Sequence, residues 1–443
     1  MEKIKAKVVE GKYLIPFIFI TSLFFLWGIA NDMTNPMVLA FKKVMPELSN
    51  FEAALVQLAF YGGYATMAIP AALFIRKFSY KAGILVGLGL YAIGALLFYP
   101  AAAYEKFGFF LASLYILTFG LAFLETTANP FILAMGNPES STRRLNLAQS
   151  FNPLGSLFGM LIAQIYVMKL LKSDDITAQA YAALPSAEQA AIRTSDLDLI
   201  SVPYIGLGVL VLTILVIMIL VKIPKVHEHD EISIPKTFKL LINNKRYYEG
   251  VIAQTFYVGA QIMCWTFIFQ YVENLNAGRA ETAQLTATWY NMAAMISFLS
   301  GRWISNYLLK YIKPAKLMFY FAIGACIMTL GSIFIVGIGG LYCLVGISVF
   351  MSLMFPTIYG IALKDMGDEA KLGSAGLVMA IVGGALTPPL QGYICDIGGS
   401  GYADVKYFGY VPEVNISFAL PLICFIVVAI YSYRSLKLHL IDN

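Results

Sequence analysis

Long apolar runs separated by short polar turns fill the chain almost from end to end. Runs of spanning length fall at residues 14–41, 52–75, 82–103, 107–135, 145–171, 201–222, 248–274, 284–309, 315–337, 340–363, 372–395 and 415–433. A helix needs about 20 apolar residues to cross a bilayer core, so the pattern predicts twelve membrane-spanning helices. The first run follows a basic segment (Lys3, Lys5, Lys7, Lys12) but is too long for a secretory signal and has no clear small-residue cleavage site, so it counts as a span. Lys and Arg crowd the alternate turns. With the N-terminus inside, 23 of the 31 basic residues lie on the inner side, Arg76, Lys77, Arg143, Arg144, Arg302, Lys310 and Lys371 among them. Both termini are therefore expected in the cytoplasm.

Composition agrees. The 443 residues are 59% hydrophobic and only 13% charged, half the share of a soluble domain (about 25%), so the fold class is an all-α integral membrane protein lodged in the lipid bilayer. The net charge of +5 does not suggest a nucleic-acid partner, because the basic residues punctuate apolar runs instead of clustering on a soluble domain. Five cysteines, an odd number without C-x-x-C spacing, read as buried thiols. The three histidines lie in polar segments, so neither a histidine metal site nor a histidine relay is expected in the membrane, and no metal or cofactor is called for.

Two connections are longer than a turn. Residues 223–247 are polar and basic with two prolines, as a cytoplasmic linker between halves would be. Residues 172–200 contain Ser186 and Gln189 at capping-box spacing, predicting a short surface helix. The halves echo each other: NPFILAMG around Pro130 corresponds to FPTIYGIALKDMG around Pro356, an offset of 226, and Arg144-Leu145 corresponds to Lys371-Leu372, an offset of 227. RKFSYKAG after the second span has a looser counterpart in LKYIKPAK after the eighth. A six-plus-six repeat is the sequence form of a carrier with two halves about a midplane site. The expected organisation is an N-terminal segment 1–13, a six-helix bundle 14–222, the linker 223–247, a second bundle 248–434 and a tail 435–443.

Polar groups inside the runs mark the candidate site. The stretch from Leu121 to Gly155 carries Glu125 and Asn129 on one span and Asn146, Gln149 and Asn152 on the next. A carboxylate near mid-bilayer costs roughly 2.5–3.5 kcal/mol or more, so it usually faces a polar cavity or a partner. The three amides, spaced by three, are expected along one side of a continuous helix. In the first span Trp27, Asn31 and Asn35 share a face, Asp32 lies beside them, and Pro36 should loosen the helix. The seventh span repeats the logic with Tyr257, Gln261 and Trp265. Amides and acids alternating with Trp and Tyr suit a sugar, whose hydroxyls need paired donors and acceptors and whose C–H patch packs on an aromatic face. The second span adds Gln57, Tyr61 and Tyr64, and packing is the expected role of its two tyrosines. Burial disfavours the charged form of a carboxyl, which makes Glu125 and Asp32 the candidate proton carriers. Asp365, Asp396 and Glu249 sit near span ends, where a solvated or salt-bridged role fits better. Arg143, Arg144 and Lys371 stand at the inner mouths and are candidates for a cytoplasmic gate, although the topology rule alone accounts for them equally.

The strings LFFLWGIAND, LETTANPF, RRLNLAQSFNPLG, YVGAQIMCW and FPTIYGIALKDMG resemble the fucose:proton symporter family of the major facilitator superfamily, as does QLAFYGGYATMAIPAALFIRKFSYKAGILVGLGLYAIGALLFYPAA. The resemblance runs from the first span to the eleventh. It implies twelve helices in two six-helix bundles, a bacterial inner membrane location, alternating access, and proton-driven uptake of a hexose or deoxyhexose, L-fucose first. It also implies that Glu125 contacts sugar and takes part in proton coupling, and that Gln149 and Asn152 line the sugar site. Two departures stand out. Family members carry Asp where this chain has Asn35, and Asp32, one turn earlier, is expected to have taken over that role; coupling through Glu125 alone, by sodium, or none at all are the competing readings. Phe355 replaces a Tyr usual in fucose permeases, which leaves galactose, glucose or an N-acetylhexosamine open as substrate. A monomer is the expected functional unit, with sugar and protons as its small partners. An enzyme such as a polytopic glycosyltransferase would need an interfacial catalytic cluster and usually a soluble domain, and the sequence has neither. A non-transporting sugar sensor stays open, to be separated from a carrier by concentrative uptake.

Overall fold

The computed structural model describes residues 7–34, 37–45, 47–48, 50–174, 176, 181, 183–220, 234–277, 279–280, 283–367, 369–395, 397 and 405–441. Asn35, Pro36, Asp396 and residues 223–233 of the expected linker lie outside them. In chain order the helices are α1 (Leu14–Thr34), α2 (Met37–Val44), α3 (Asn50–Lys77), α4 (Tyr80–Leu96), α5 (Phe98–Tyr104), α6 (Phe107–Ala134), α7 (Ser141–Gln149) and α8 (Asn152–Leu161). They continue with α9 (Ser186–Leu220), α10 (Ile234–Asn243), α11 (Lys245–Thr266), α12 (Ile268–Asn276), α13 (Ala287–Leu308), α14 (Pro314–Phe334) and α15 (Ile338–Met351). The last are α16 (Met354–Ala362), α17 (Glu369–Met379), α18 (Gly383–Leu386), α19 (Pro388–Cys395), α20 (Glu413–Ile416) and α21 (Ala419–Ile441). The one excursion into strand among the described residues is a two-residue hairpin, β1 (Lys406–Tyr407) against β2 (Val411–Pro412), turned by Phe408 and Gly409 at positive φ.

Among the described residues eleven helical stretches are long and apolar enough to cross a membrane, and they coincide with eleven of the twelve expected runs. The remaining run, 284–309, is α13, which at 22 residues has spanning length but carries Asn291, Arg302 and Asn306 on buried positions. Several spans are broken into consecutive helices, α7/α8 at Ser150–Phe151 and α15/α16 at Ser352–Leu353 among them. Proline supplies the reason at both places: Pro153 and Pro356 have no N–H to return to the carbonyl four residues earlier. Such interruptions persist in a membrane only where neighbouring groups re-satisfy the freed backbone.

The surface helix expected within 172–200 is instead the first part of α9, a 35-residue helix that continues into the sixth span. At its start the Gln189 side-chain amide donates to the Leu184 carbonyl at 2.9 Å, and Pro185 supplies the carbonyl that opens the helix. Asp196, buried on the same helix, accepts from the backbone N–H groups of Lys172 and Ser173 at 3.0 and 2.9 Å and so ties down the incoming loop.

The chain divides into two compact units. The first comprises Ile15–Phe131 and Phe151–His227; the second comprises Met1–Leu14, Ile132–Ser150 and Glu228–Asn443. In the first unit, glycines let backbones touch. A Cβ on Gly155 or Gly159 would strike the carbonyl oxygens of Phe25 and Ile29, and one on Gly28 would strike that of Asn152, so α1 and α8 meet through a small-residue seam. Gly120 on α6 faces Gly87 and Tyr91 on α4 in the same way, and the Tyr91 hydroxyl donates to Leu26 O at 2.9 Å. In the second unit α13 lies against α15, where Gly301 faces the Val349 carbonyl. Asn415 donates to Tyr271 Oη and to Ser332 O, both at 2.9 Å, closing one end of that unit. Arg434 on α21 grips Glu249 on α11 through two hydrogen bonds of 2.7 and 3.0 Å, and Arg246 lies 3.6 Å from Asp365, so both described span-end acids are salt-bridged as expected.

Candidate functional site

In the first unit the polar residues expected from the sequence converge from α1, α3 and α6. Glu125 is only 5% exposed, and among the described residues no hydrogen bond reaches its carboxyl. One turn on, the fully buried Asn129 donates to the Glu125 backbone carbonyl at 3.1 Å. Tyr64, on α3, interacts electrostatically with the Glu125 carboxyl, and its hydroxyl accepts the Trp27 indole N–H at 3.2 Å. Trp27 stacks on Phe24, centroids 4.9 Å apart. The hydrogen-bonded pair of Trp27 and Tyr64 therefore lies within the electrostatic reach of Glu125. Asp32, likewise 5% exposed, stands in the same relation to Tyr61. Asn31 is half-buried. Both tyrosines, read from sequence as packing, are buried and meet the Phe60 ring edge-on at 5.7 and 5.8 Å.

The three amides of the fifth span do not share one helix face. The break at Ser150–Phe151 separates them: Asn146 and Gln149 lie on α7 in the second unit, whereas Asn152 opens α8 in the first and donates to the Phe24 carbonyl of α1 at 3.2 Å. Asn146 donates to Thr142 O at 2.9 Å and to Thr357 Oγ1 of α16 at 3.2 Å. Thr142 packs on Gly360, where a Cβ would come within 2.8 Å of its hydroxyl. Gln149, 5% exposed, receives Arg302 Nη1 of α13 at its side-chain oxygen (3.5 Å) and its backbone carbonyl (3.4 Å).

The seventh-span residues occupy α11. Tyr257 is fully buried and donates to the Met351 carbonyl at 3.1 Å. Trp265 donates to Ser348 Oγ at 3.2 Å and meets Phe298 edge-on at 5.1 Å, while Gln261 is half-buried. Phe355 lies between Tyr257 and Tyr359, its ring 6.4 and 6.3 Å from theirs. Of the gate candidates, Arg144 has no exposed surface and is bonded through every nitrogen: Nε to Ile132 O (2.7 Å), Nη2 to Leu133 O (2.8 Å), and Nη1 to Ser140 Oγ (3.1 Å) and Val8 O (3.2 Å). Arg143 is half-buried and Lys371 7% exposed.

Arg302 is more deeply buried than the sequence reading allowed. Counted with the inner-side cations, it is 3% exposed, with its guanidinium 4.9 Å above the Phe298 ring. A signal existed: the basic segment LKYIKPAK begins at Leu309, seven residues and two helical turns further on. Gln254, fully buried on α11, was also missed.

The profile of the Major Facilitator Superfamily matches residues 14–388. An L-fucose-proton symporter of Haemophilus influenzae is 57% identical over 438 residues, covering 98% of this chain and 99% of the relative. The chain belongs to the fucose:proton symporter family of the major facilitator superfamily. A crystal structure of the major facilitator transporter FucP in the outward conformation matches with a TM-score of 0.83 at 32% identity, covering 96% of this chain and 99% of that one. A more distant relative, a glucose/galactose transporter of Brucella abortus, is 29% identical over 93% of this chain and 92% of its own. Membership makes the chain a multi-pass membrane transporter of the twelve-helix fold, and a carrier rather than an enzyme.

Proposed function

We propose that the protein imports L-fucose together with protons by alternating access, across the bacterial inner membrane, as a monomer with both termini in the cytoplasm. The observation that carries the substrate is the end-to-end identity of 57% to an L-fucose-proton symporter, against 29% to a glucose/galactose transporter. Glu125 takes the coupling proton, with Asp32 as a second proton site standing in for the acid that the family has at Asn35. The burial of Glu125 supports this, because a carboxyl deep in a span that has no cationic partner among the described residues is stable only if it can be neutral. Asn31, Asn35, Asn129, Gln149, Asn152, Tyr257, Gln261 and Trp265 are the proposed sugar contacts. The bundles 14–222 and 248–434, joined by 223–247, are the proposed moving halves. In place of a charged gate, we assign Arg144 to a clasp that pins the N-terminal segment at Val8 to the turn after α6, with Arg143 and Lys371 at the mouth.

The test is uptake of labelled L-fucose into proteoliposomes under an imposed inward proton gradient, with galactose, glucose and N-acetylglucosamine as competitors. Accumulation driven by the gradient and blocked by L-fucose alone is the expected result. Equilibration without accumulation, or dependence on sodium, would overturn proton coupling, and preference for another sugar would overturn the substrate.

A further inference from the structure

Two arginines are buried in the second unit, and they are bonded very differently. Arg144 spends Nε, Nη1 and Nη2 on carbonyl and hydroxyl oxygens, four of the bonds lying between 2.7 and 3.2 Å. That is the pattern of a cation whose work is structural: its desolvation is offset by a full set of acceptors. Arg302 makes two long contacts, 3.4 and 3.5 Å, both from Nη1 to Gln149, and among the described residues its buried Nε has no hydrogen-bond partner. A guanidinium carries five N–H donors and no acceptor, so most of its capacity is unspent. Nearby positions on its own helix and on α11 repeat the deficit. Asn306, four residues on, has a buried carbonyl oxygen without a partner, and Gln254 has neither end of its amide bonded, again among the described residues. Gln254 lies three residues from Tyr257 on α11, and Tyr257 interacts electrostatically with Arg302.

The contact with Gln149 has a cause in the sequence. In a continuous helix the N–H of residue 153 would bond to the carbonyl of residue 149, but residue 153 is proline. The freed carbonyl is the one that Arg302 approaches. The guanidinium carbon lies over the Phe298 ring, 4.9 Å from its centroid. A weakly held, planar donor set next to an amide is suited to a neutral ligand rich in hydroxyl oxygens.

We propose that Arg302 is a sugar-recognising, specificity-determining residue, and that its contact with Gln149 is the one a sugar hydroxyl replaces. The inference rests on the reading of the chain as an L-fucose carrier and of Gln149 as a sugar contact. When a hydroxyl takes over the Nη donors, α13 loses its tie to α7, so recognition and the loosening of these two helices are one event.

The experiment is a cycle between protein and ligand. The purified full-length carrier is titrated by calorimetry with L-fucose and with its 2-, 3- and 4-deoxy forms, as wild type, Arg302→Met, Arg302→Lys and Gln149→Ala. A hydrogen bond to a charged donor corresponds to roughly a 10- to 100-fold change in binding. For wild type, one deoxy form is expected to bind weaker than L-fucose by that factor. In Arg302→Met, L-fucose binding weakens by the same factor and the gap to that deoxy form closes; Gln149→Ala keeps the gap. A residue that only packs α13 on α7 would change the melting temperature and leave the ranking of deoxy sugars as it was, and that result overturns the proposal. If Arg302→Met does not fold, Arg302→Lys decides by the same criterion, since an ammonium keeps the charge without the fork and must narrow the gap. Wild type that binds L-fucose while the gap persists in the variants refutes Arg302 alone. Wild type that binds none of these sugars refutes the L-fucose reading and the proposal with it.

Discussion

A carboxyl two or three turns inside a span is tolerated when it can be neutral or find a hydrogen-bond partner, and buried Glu125 has neither a cation nor a hydrogen bond at its carboxyl among the described residues. Glu125→Gln keeps the shape and the hydrogen-bonding capacity while removing the proton. Gradient-driven accumulation of L-fucose should then fall to simple equilibration, with counterflow as the control for intact sugar handling; full accumulation by Glu125→Gln would remove it as the coupling residue. Asp32→Asn separates the two acids. If Asp32 has taken over from the family's acid at Asn35, accumulation is lost and counterflow survives, whereas unchanged accumulation leaves coupling to Glu125. Tyr64→Phe deletes the acceptor of the Trp27 indole N–H. A neutral hydrogen bond is worth about 0.5–1.5 kcal/mol, so L-fucose affinity measured by calorimetry should fall by up to roughly tenfold if Trp27 is a sugar platform, and stay put if it only packs.

At the scale of elements the glycine seam between α1 and α8 fixes where Asn152 sits in the first unit. Because a Cβ at Gly155 would meet the Phe25 carbonyl, Gly155→Ala must push α8 off α1 and drag Asn152 from the Phe24 carbonyl. Overpacking of this kind costs about 1–3 kcal/mol, so a lowered melting temperature in detergent together with weakened L-fucose binding is the expected pair of effects. A wild-type melting curve would show that the seam gives way freely. The spacing Gly155-x-x-x-Gly159 could be read directly from the chain, as could the acid and aromatic positions of α1 and α6, since period and polarity suffice for those. The fate of the three amides could not. Their common face presupposed a continuous helix, and whether Pro153 bends or breaks a helix depends on what neighbours offer the freed carbonyl, here Arg302 from a helix more than 140 residues away. Arg302 itself was hidden by the rule that Lys and Arg usually mark the inner ends of spans. Its burial is a fact of packing between α13 and its neighbours, which no local pattern records.

For the molecule as a whole, the twelve runs and the two-fold echo were legible because the bilayer imposes length and polarity on each span separately. The membership of the compact units was not, because it is decided by contacts between helices distant in sequence. Residues 132–150, from the first half of the chain, belong to one unit with residues 228–443. Thr142 and Asn146 of α7 lie against Gly360 and Thr357 of α16, and the Thr142 Cβ is 3.1 Å from the position a Cβ would take on Gly360. A carrier that opens its two ends alternately has to part such contacts between its sequence halves once in every cycle. If α7 and α16 are among them, a covalent link there must stop transport without unfolding the protein. Cysteines placed at 142 and 360 are close enough for a disulfide after a small relaxation, because bridged Cβ atoms usually lie about 3.5–4.5 Å apart. In a background with the five native cysteines replaced, oxidation of the Thr142→Cys, Gly360→Cys carrier should abolish both L-fucose uptake and counterflow, and reductant should restore both. Full transport with the bond formed, checked by the mass of the linked peptides, would mean that these helices travel together and that the opening contact lies elsewhere.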